Sequence, residues 1–255
     1  MGDLYTKPMA KSASLRRGLS PTIWSQVPLT EINNGGLTEG FGFVDDFLYH
    51  VEQGQWDSTA ASTGTVTMDS VKGGVLLIDS AAGGDNQGIQ IQYGGTAGAG
   101  SFQASATSKI YLEARYKIVD CGGTTPDDIN IAVGLATVDT TILASGAHNV
   151  ADAVLIQHID DSTNYQLAGV AGSATAVLSG TIGSIVDGTY IKVGFFIDGV
   201  SSVTPYINGV AKTAITSGIP TGVMAPAVVA HGTSAVDPIV HLDWLACYQV
   251  EQIAN

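Results

Sequence analysis

Apolar and polar residues alternate in short runs along most of this chain, and glycines or Asp/Asn pairs cut the runs apart. Ile89-Gln90-Ile91-Gln92-Tyr93 and Tyr111-Leu112-Glu113-Ala114-Arg115-Tyr116 repeat with period two, which turns one face of a strand to a core and the other to solvent. The same pattern predicts strands at Gly42–Phe47, Thr65–Met68, Gly74–Asp79, Gly88–Tyr93, Lys109–Val119, Ile129–Leu135 and Ala153–His158. It continues at Tyr165–Val170, Tyr190–Asp198, Val203–Ile207, Pro226–Ala230 and Ile239–Val250. Turn signals fall between them at Asp85-Asn86, Asp160-Asp161-Ser162, Asp187-Gly188, Asp198-Gly199 and Asn208-Gly209. Asp139–Ala144 reads as a short helical turn. The expected class is all-β, two packed antiparallel sheets.

The first forty residues break this pattern. Pro8, Pro21 and Pro28 set an extended, non-helical backbone, and Asn33-Asn34-Gly35-Gly36 reads as a loop. Residues 1–40 are therefore expected to form an extended N-terminal arm and 41–255 the sandwich. Charge divides in the same place. Residues 1–30 hold Lys7, Lys11, Arg16 and Arg17 against Asp3, whereas the other 225 hold six basic and twenty-two acidic groups. A basic, irregular arm on an acidic body reads as a tether that docks on a partner. Its apolar residues Ile23, Trp24, Val27 and Leu29, with Arg16 and Arg17, are the expected partner-binding set.

Composition narrows the function. Hydrophobic residues make up 45% of the chain, enough for a real core, and charged residues only 13%, so the surface is largely Ser, Thr, Gly, Asn and Gln. A net charge of −13 disfavours nucleic acid as a ligand of the body, because phosphate neutralisation needs a clustered basic face. No run of apolar residues is long enough for a membrane span, and the N-terminus has no apolar signal-peptide core, so assembly in a cytoplasm is expected. Cys121 and Cys247 have no metal or redox spacing and read as free thiols.

Three segments carry a resemblance. Ile191–Gly199 followed by Val203-Thr204-Pro205-Tyr206-Ile207-Asn208-Gly209-Val210 resembles the paired strands of concanavalin-like and laminin-G-like jelly rolls. Val240–Val250, with its Asp243-Trp244, resembles their closing strand, and Gly42–Phe47 their opening one. Within the arm, Gly18-Leu19-Ser20-Pro21-Thr22-Ile23-Trp24 and the later Phe43-Val44-Asp45-Asp46-Phe47 resemble segments of structural proteins that decorate tailed-bacteriophage capsids. These resemblances imply a jelly-roll β-sandwich and a structural role.

A search for chemistry returns no catalytic, cofactor or metal residue. Concanavalin-like glycosidases carry two carboxylates on one strand as E-x-D-x-x-E, which places acid/base and nucleophile on one face. None of the five glutamates, Glu31, Glu39, Glu52, Glu113 and Glu251, has an aspartate two residues on. Glu113 with Arg115 reads as a solvated strand face. Asp160-Asp161, Asp127-Asp128 and Asp45-Asp46 offer clustered oxygens for calcium but read better as turns. His50, His148, His158, His231 and His241 lack ligand spacing. His241 and Asp243 are expected on one strand face, with Leu242, Trp244 and Ala246 on the other. No G-x-S-x-G occurs, and the Gly94–Gly100 run lacks the helix and lysine of a phosphate loop. Trp56, Tyr93, Tyr165 and Tyr206 are the aromatics that would stack on sugar, against core burial as the commoner fate of each.

The leading expectation is a non-enzymatic virion protein, a decoration or cement subunit on the capsid surface. Its partners would be the major capsid protein and further copies of itself, a trimer suiting a three-fold lattice point. The alternative is a carbohydrate-binding module of a phage tail or adhesin, with a glycan as ligand. A glycoside hydrolase is the remote third reading.

Overall fold

The computed structural model describes residues 18–25, 27, 40–50, 55–60, 64–69, 73–80, 88–94, 101–120, 129–144, 147–159, 162–232 and 238–251. One helical turn, α1 (Pro21–Trp24), precedes nineteen strands. The first ten are β1 (Gly40–Asp45), β2 (Trp56–Ala60), β3 (Thr65–Met68), β4 (Leu76–Asp79), β5 (Gly88–Tyr93), β6 (Phe102–Gln103), β7 (Ser108–Asp120), β8 (Ile129–Ala136), β9 (Leu143–Ala144) and β10 (Ala147–His148). The rest are β11 (Ala153–His158), β12 (Asn164–Val170), β13 (Val177–Leu178), β14 (Gly183–Ser184), β15 (Ile191–Asp198), β16 (Ser202–Ile207), β17 (Val210–Ala211), β18 (Val223–Gly232) and β19 (Ile239–Glu251).

They form two antiparallel sheets. The eight-stranded sheet runs β17-β16-β15-β7-β19-β4-β3, with β1 also on β19. The nine-stranded sheet runs β13-β12-β11-β8-β18-β5-β2, with β14 on β12 and β6 on β18. Period-two alternation turns Ile110, Leu112 and Ala114 of β7 and Ile129, Ile131 and Val133 of β8 into the shared core, beside Phe195 and Trp56. Each such Ile, Leu, Val or Phe side chain, fully buried, contributes about 1.5–3 kcal/mol. The fold is the expected lectin-like jelly-roll sandwich. Turn chemistry also holds: Asn208 and Gly209 both take positive φ (51° and 76°) and close the tight β16–β17 hairpin.

Three local readings change. Residues 21–24 are helical, since Pro21 opens the turn, where its missing N–H costs nothing. Asp139–Ala144 is not helical. Gln92 Oε1 accepts from Asp139 N (3.1 Å) and Gln90 Oε1 from Ile142 N (2.9 Å), so side chains of the sheet take the donors a helix would need. Leu143–Ala144 instead pairs with Ala147–His148. This loop lies over the outer face of the nine-stranded sheet, where Ile142, Leu143 and Val150 bury Ala132, Leu155 and Val229.

The third change is in β19. Leu242 is opposite Tyr116 while Trp244 is opposite Arg115, which leaves Asp243 as a bulge residue. One extra residue inverts the alternation, so Leu242, Leu245 and Cys247 face the core whereas Trp244, Ala246 and Tyr248 face outward. Leu242 and Trp244 therefore do not share a face. The bulge sits where the neighbour on one side of β19 changes from β4 to β1.

Candidate functional site

The outer face of the eight-stranded sheet gathers a row of aromatics. Phe196 of β15 is opposite Tyr111 of β7, and their rings stack at 4.9 Å and 25°. Tyr206 of β16 is opposite Gly194, one position along β15 from that pair. Ala246 and Tyr248 of β19 extend the row on the other side of β7. Gly194 and Ala246 are small, and they flank Glu113, so a trough crosses the sheet between Tyr206 and Trp244.

The N-terminal segment fills that trough. Ile23, Trp24 and Val27 are buried against Tyr111, Trp244, Ala246 and Tyr248. A Cβ added at Gly194 would meet the Leu112 carbonyl oxygen at 2.5 Å and Ile23 Cδ1 at 3.1 Å, so the glycine leaves room for both the neighbouring strand and the segment. The Trp24 indole Nε1 donates to Glu113 Oε2 (2.9 Å), and the Ser20 backbone N–H donates to the same oxygen (2.8 Å). Lys192 Nζ donates to the Gly18 carbonyl (3.2 Å), and Thr22 Oγ1 to the Gly209 carbonyl (2.6 Å). These side chains were expected to dock on a partner, yet the chain's own sheet takes them. Arg16, Arg17 and Leu29 lie outside the described residues.

Glu113 is only 1% exposed, so it is not on the solvated face that its neighbour Arg115 implied. Burial raises its carboxyl above the usual range, and the donors of Ser20 and Trp24 and the charge of Lys192 oppose the rise. Arg115 pairs with Asp243, both largely buried, and its guanidinium lies 3.8 Å from the Tyr190 ring centroid. The bulge thus delivers a carboxylate to Arg115.

With the segment in place, Phe196 and Tyr206 remain half-buried at the edge of the cluster and form a shelf, Phe196 stacked on Tyr111. Lys109 Nζ is 5.9 Å from the Phe196 centroid and 3.9 Å from Asp198 Oδ1, and Thr204 is opposite Phe196. Burial pushes the Tyr111 hydroxyl up to about 12, so it stays protonated at neutral pH. Half-buried ring faces beside charged and hydroxyl groups give a surface for a ligand that has both an apolar face and a polar edge.

The other expected residues are dispersed. Trp56 and Tyr165 are in the core. Tyr93 is half-buried and stacked on Phe43 at 4.1 Å and 7°. Asp45 caps its own turn, accepting from Phe47 N and from Trp56 Nε1, both at 2.8 Å. His241, which precedes the bulge, is 3.5 Å from Asp69, whereas Asp243 is the bulge residue and pairs with Arg115. Asp127, Asp128, Asp160, Asp161 and Cys121 lie outside the described residues, and the Cys247 thiol is buried and raised. Among the described residues no three His, Cys, Asp or Glu side chains gather as a metal group, and no helix is long and apolar enough to cross a membrane.

Phe196 was missed, although β15 marks it. Lys192, Gly194, Phe196 and Asp198 occupy the outward positions of that strand, and a phenylalanine among them is out of phase with burial. The strands of the nine-stranded sheet contain one acid, Asp57, and no carboxylate pair. A cavity of about 130 Å³ lies beside Tyr165, Ser184, Val186, Tyr190 and Ile207. It falls below the roughly 300 Å³ at which ligand pockets begin.

No family model and no curated protein matches the chain. Solved structures resemble it in fold. A protein of unknown function from Shewanella oneidensis MR-1 aligns with a TM-score of 0.60 at 12% identity, covering 89% of this chain and 97% of that one. The endo-1,3-β-glucanase of Streptomyces sioyaensis aligns at 0.56 and 14%, covering 82% and 96%. Peanut lectin aligns at 0.56 and 13%, covering 85% and 100%. At these identities the likeness concerns the fold alone.

Proposed function

We propose that this chain is a non-catalytic carbohydrate-binding β-sandwich, and that its binding surface is the Phe196–Tyr206 shelf. The shelf itself carries the reading. Two half-buried aromatic side chains on a rigid sheet, beside Lys109, Asp198 and Thr204, provide stacking for a sugar ring and hydrogen bonds for its hydroxyls. The sandwich shared with peanut lectin supports it, as does the single acid among the strands of the other sheet, where glycosidase chemistry needs two.

The test is binding to a panel of immobilised polysaccharides, with the Phe196→Ala and Tyr206→Ala variants in parallel. Binding by the natural chain that falls at least tenfold in both variants, with circular dichroism unchanged, supports the assignment. Failure to bind any glycan, or equal binding by both variants, overturns it.

A second reading, a virion decoration subunit docked on a major capsid protein, keeps one observation. The Gly18 carbonyl is held by Lys192, and Lys7, Lys11, Arg16 and Arg17 precede it in the sequence. Under that reading, removal of residues 1–17 abolishes co-sedimentation with particles and leaves the sandwich folded. Full particle occupancy by the truncated chain rejects it.

A further inference from the structure

Basic side chains are scarce here, and their placement is uneven. The described residues include five: Lys109, Arg115, Lys117, Lys192 and Lys212. Four project outward from β7 and β15, adjacent strands of the sheet that bears the shelf, and Lys212 follows β17 of that sheet. The strands of the nine-stranded sheet have none. In a chain of net charge −13, an anion therefore finds its described cations on this sheet, whose strands also carry seven acids.

Two of these cations are committed. Arg115 is paired with Asp243, and Lys192 holds the Gly18 carbonyl. Lys109 lies 3.9 Å from Asp198, whose side chain is 52% exposed, a solvated pair that a ligand carboxylate can displace at little cost. Lys117 has no carboxylate within ion-pair distance among the described residues and sits 5.2 Å from the Tyr190 ring centroid. Eight residues separate Lys109 from Lys117 on one strand, about 26 Å at 3.3 Å per residue. Lys109 lies beside Phe196, and Lys117 lies on the same face of β7 beyond the N-terminal segment that covers Tyr111 and Glu113.

We infer that the shelf takes an acidic polysaccharide, a polyuronate whose rings stack on Phe196 and Tyr206 while its carboxylates meet Lys109 and Lys117. This deepens the carbohydrate-binding reading and rests on it. Two well-separated point charges suit a polymer with one carboxylate per sugar. A densely sulfated chain or a nucleic acid needs a clustered basic face, which this acidic body lacks.

The experiment is affinity electrophoresis of the full chain in gels containing polygalacturonate, laminarin, dextran sulfate or duplex DNA, with the variants Lys109→Gln/Lys117→Gln and Phe196→Ala. Runs at about 0.05 M and about 1 M NaCl compare weakly and strongly screened conditions. Polygalacturonate is expected to retard the protein most, with at least a fivefold loss of affinity in the double lysine variant at low salt and near-equality at high salt. Phe196→Ala is expected to abolish retardation. Equal retardation by laminarin, unaffected by the lysine changes, overturns the polyuronate inference and leaves the carbohydrate-binding reading intact. Retardation by dextran sulfate or DNA but not by polygalacturonate also overturns it. Absence of retardation by any glycan removes both.

Discussion

Replacing Trp24 by Phe isolates the contact that holds the N-terminal segment. The smaller ring still covers Tyr111, but the indole N–H that donates to Glu113 Oε2 at 2.9 Å is gone. A hydrogen bond contributes about 0.5–1.5 kcal/mol, and more where the acceptor is charged. The void left by the smaller ring adds about 1 kcal/mol, on the scale of other trimmed core side chains. The segment can lift off without unfolding the sandwich, so the loss belongs to a local opening and not to the global transition. Native-state hydrogen exchange reads it directly, because the Ser20 amide donates to the same carboxylate oxygen. Protection of the Ser20 amide is expected to fall at least tenfold, since each 1.4 kcal/mol is a factor of ten. Amides of Val133, in the central strand β8, should keep theirs. An unchanged Ser20 rate, or an equal loss at Val133, would refute the local-latch argument.

Two further outcomes follow from the same face. Burial holds the Glu113 carboxyl above its ordinary 4.5, so the native state binds this proton more tightly than the unfolded chain. That stabilisation is complete below the unfolded value and is lost as pH rises through the folded one. Urea titrations should therefore show Glu113→Gln gaining stability relative to the natural chain between about pH 4 and about pH 8, and a constant offset across that range would contradict the assignment. Arg115→Met removes the guanidinium from the buried Asp243 carboxylate and should cost about 3–5 kcal/mol, lowering Tm by roughly 6–20 °C. The double variant Arg115→Met/Asp243→Leu should recover at least 1 kcal/mol of that in calorimetry, and strict additivity would show that the two groups do not interact.

Strand positions were legible because the code for them is local. Thr65–Met68, Gly88–Tyr93 and Ala153–His158 match their alternating runs end to end. Trp56–Ala60 was missed because its one large apolar residue is followed by small polar ones, and its pairing to β5 is a long-range fact. The phase of Trp244 was unreadable for a different reason. A bulge leaves no mark in composition, and only the partner register shows that Asp243 is the extra residue. The N-terminal segment exposes the same limit. Its apolar residues and their need for cover were visible, but the trough that receives them is built by Gly194, Glu113 and Ala246 from three distant strands. Glu113 looked like a surface residue because the face it occupies is outward, and the cover arrives from ninety residues away.

The position of β19 sets the order in which this protein can be made. It lies between β7 and the pair β4 and β1, and it supplies Trp244, Ala246 and Tyr248 to the bed of the N-terminal segment. On the ribosome, β1 and the segment around Trp24 emerge first, yet each lacks its neighbour until Ile239–Glu251 has been synthesised. Throughout elongation the edge of β7 and the apolar residues of the opening segment stay open to chaperones or to other nascent chains. Such long-range closure makes folding slow. A ribosome stalled before codon 239 should therefore hold a protease-sensitive chain, whereas one that has exposed the closing strand should hold a resistant sandwich.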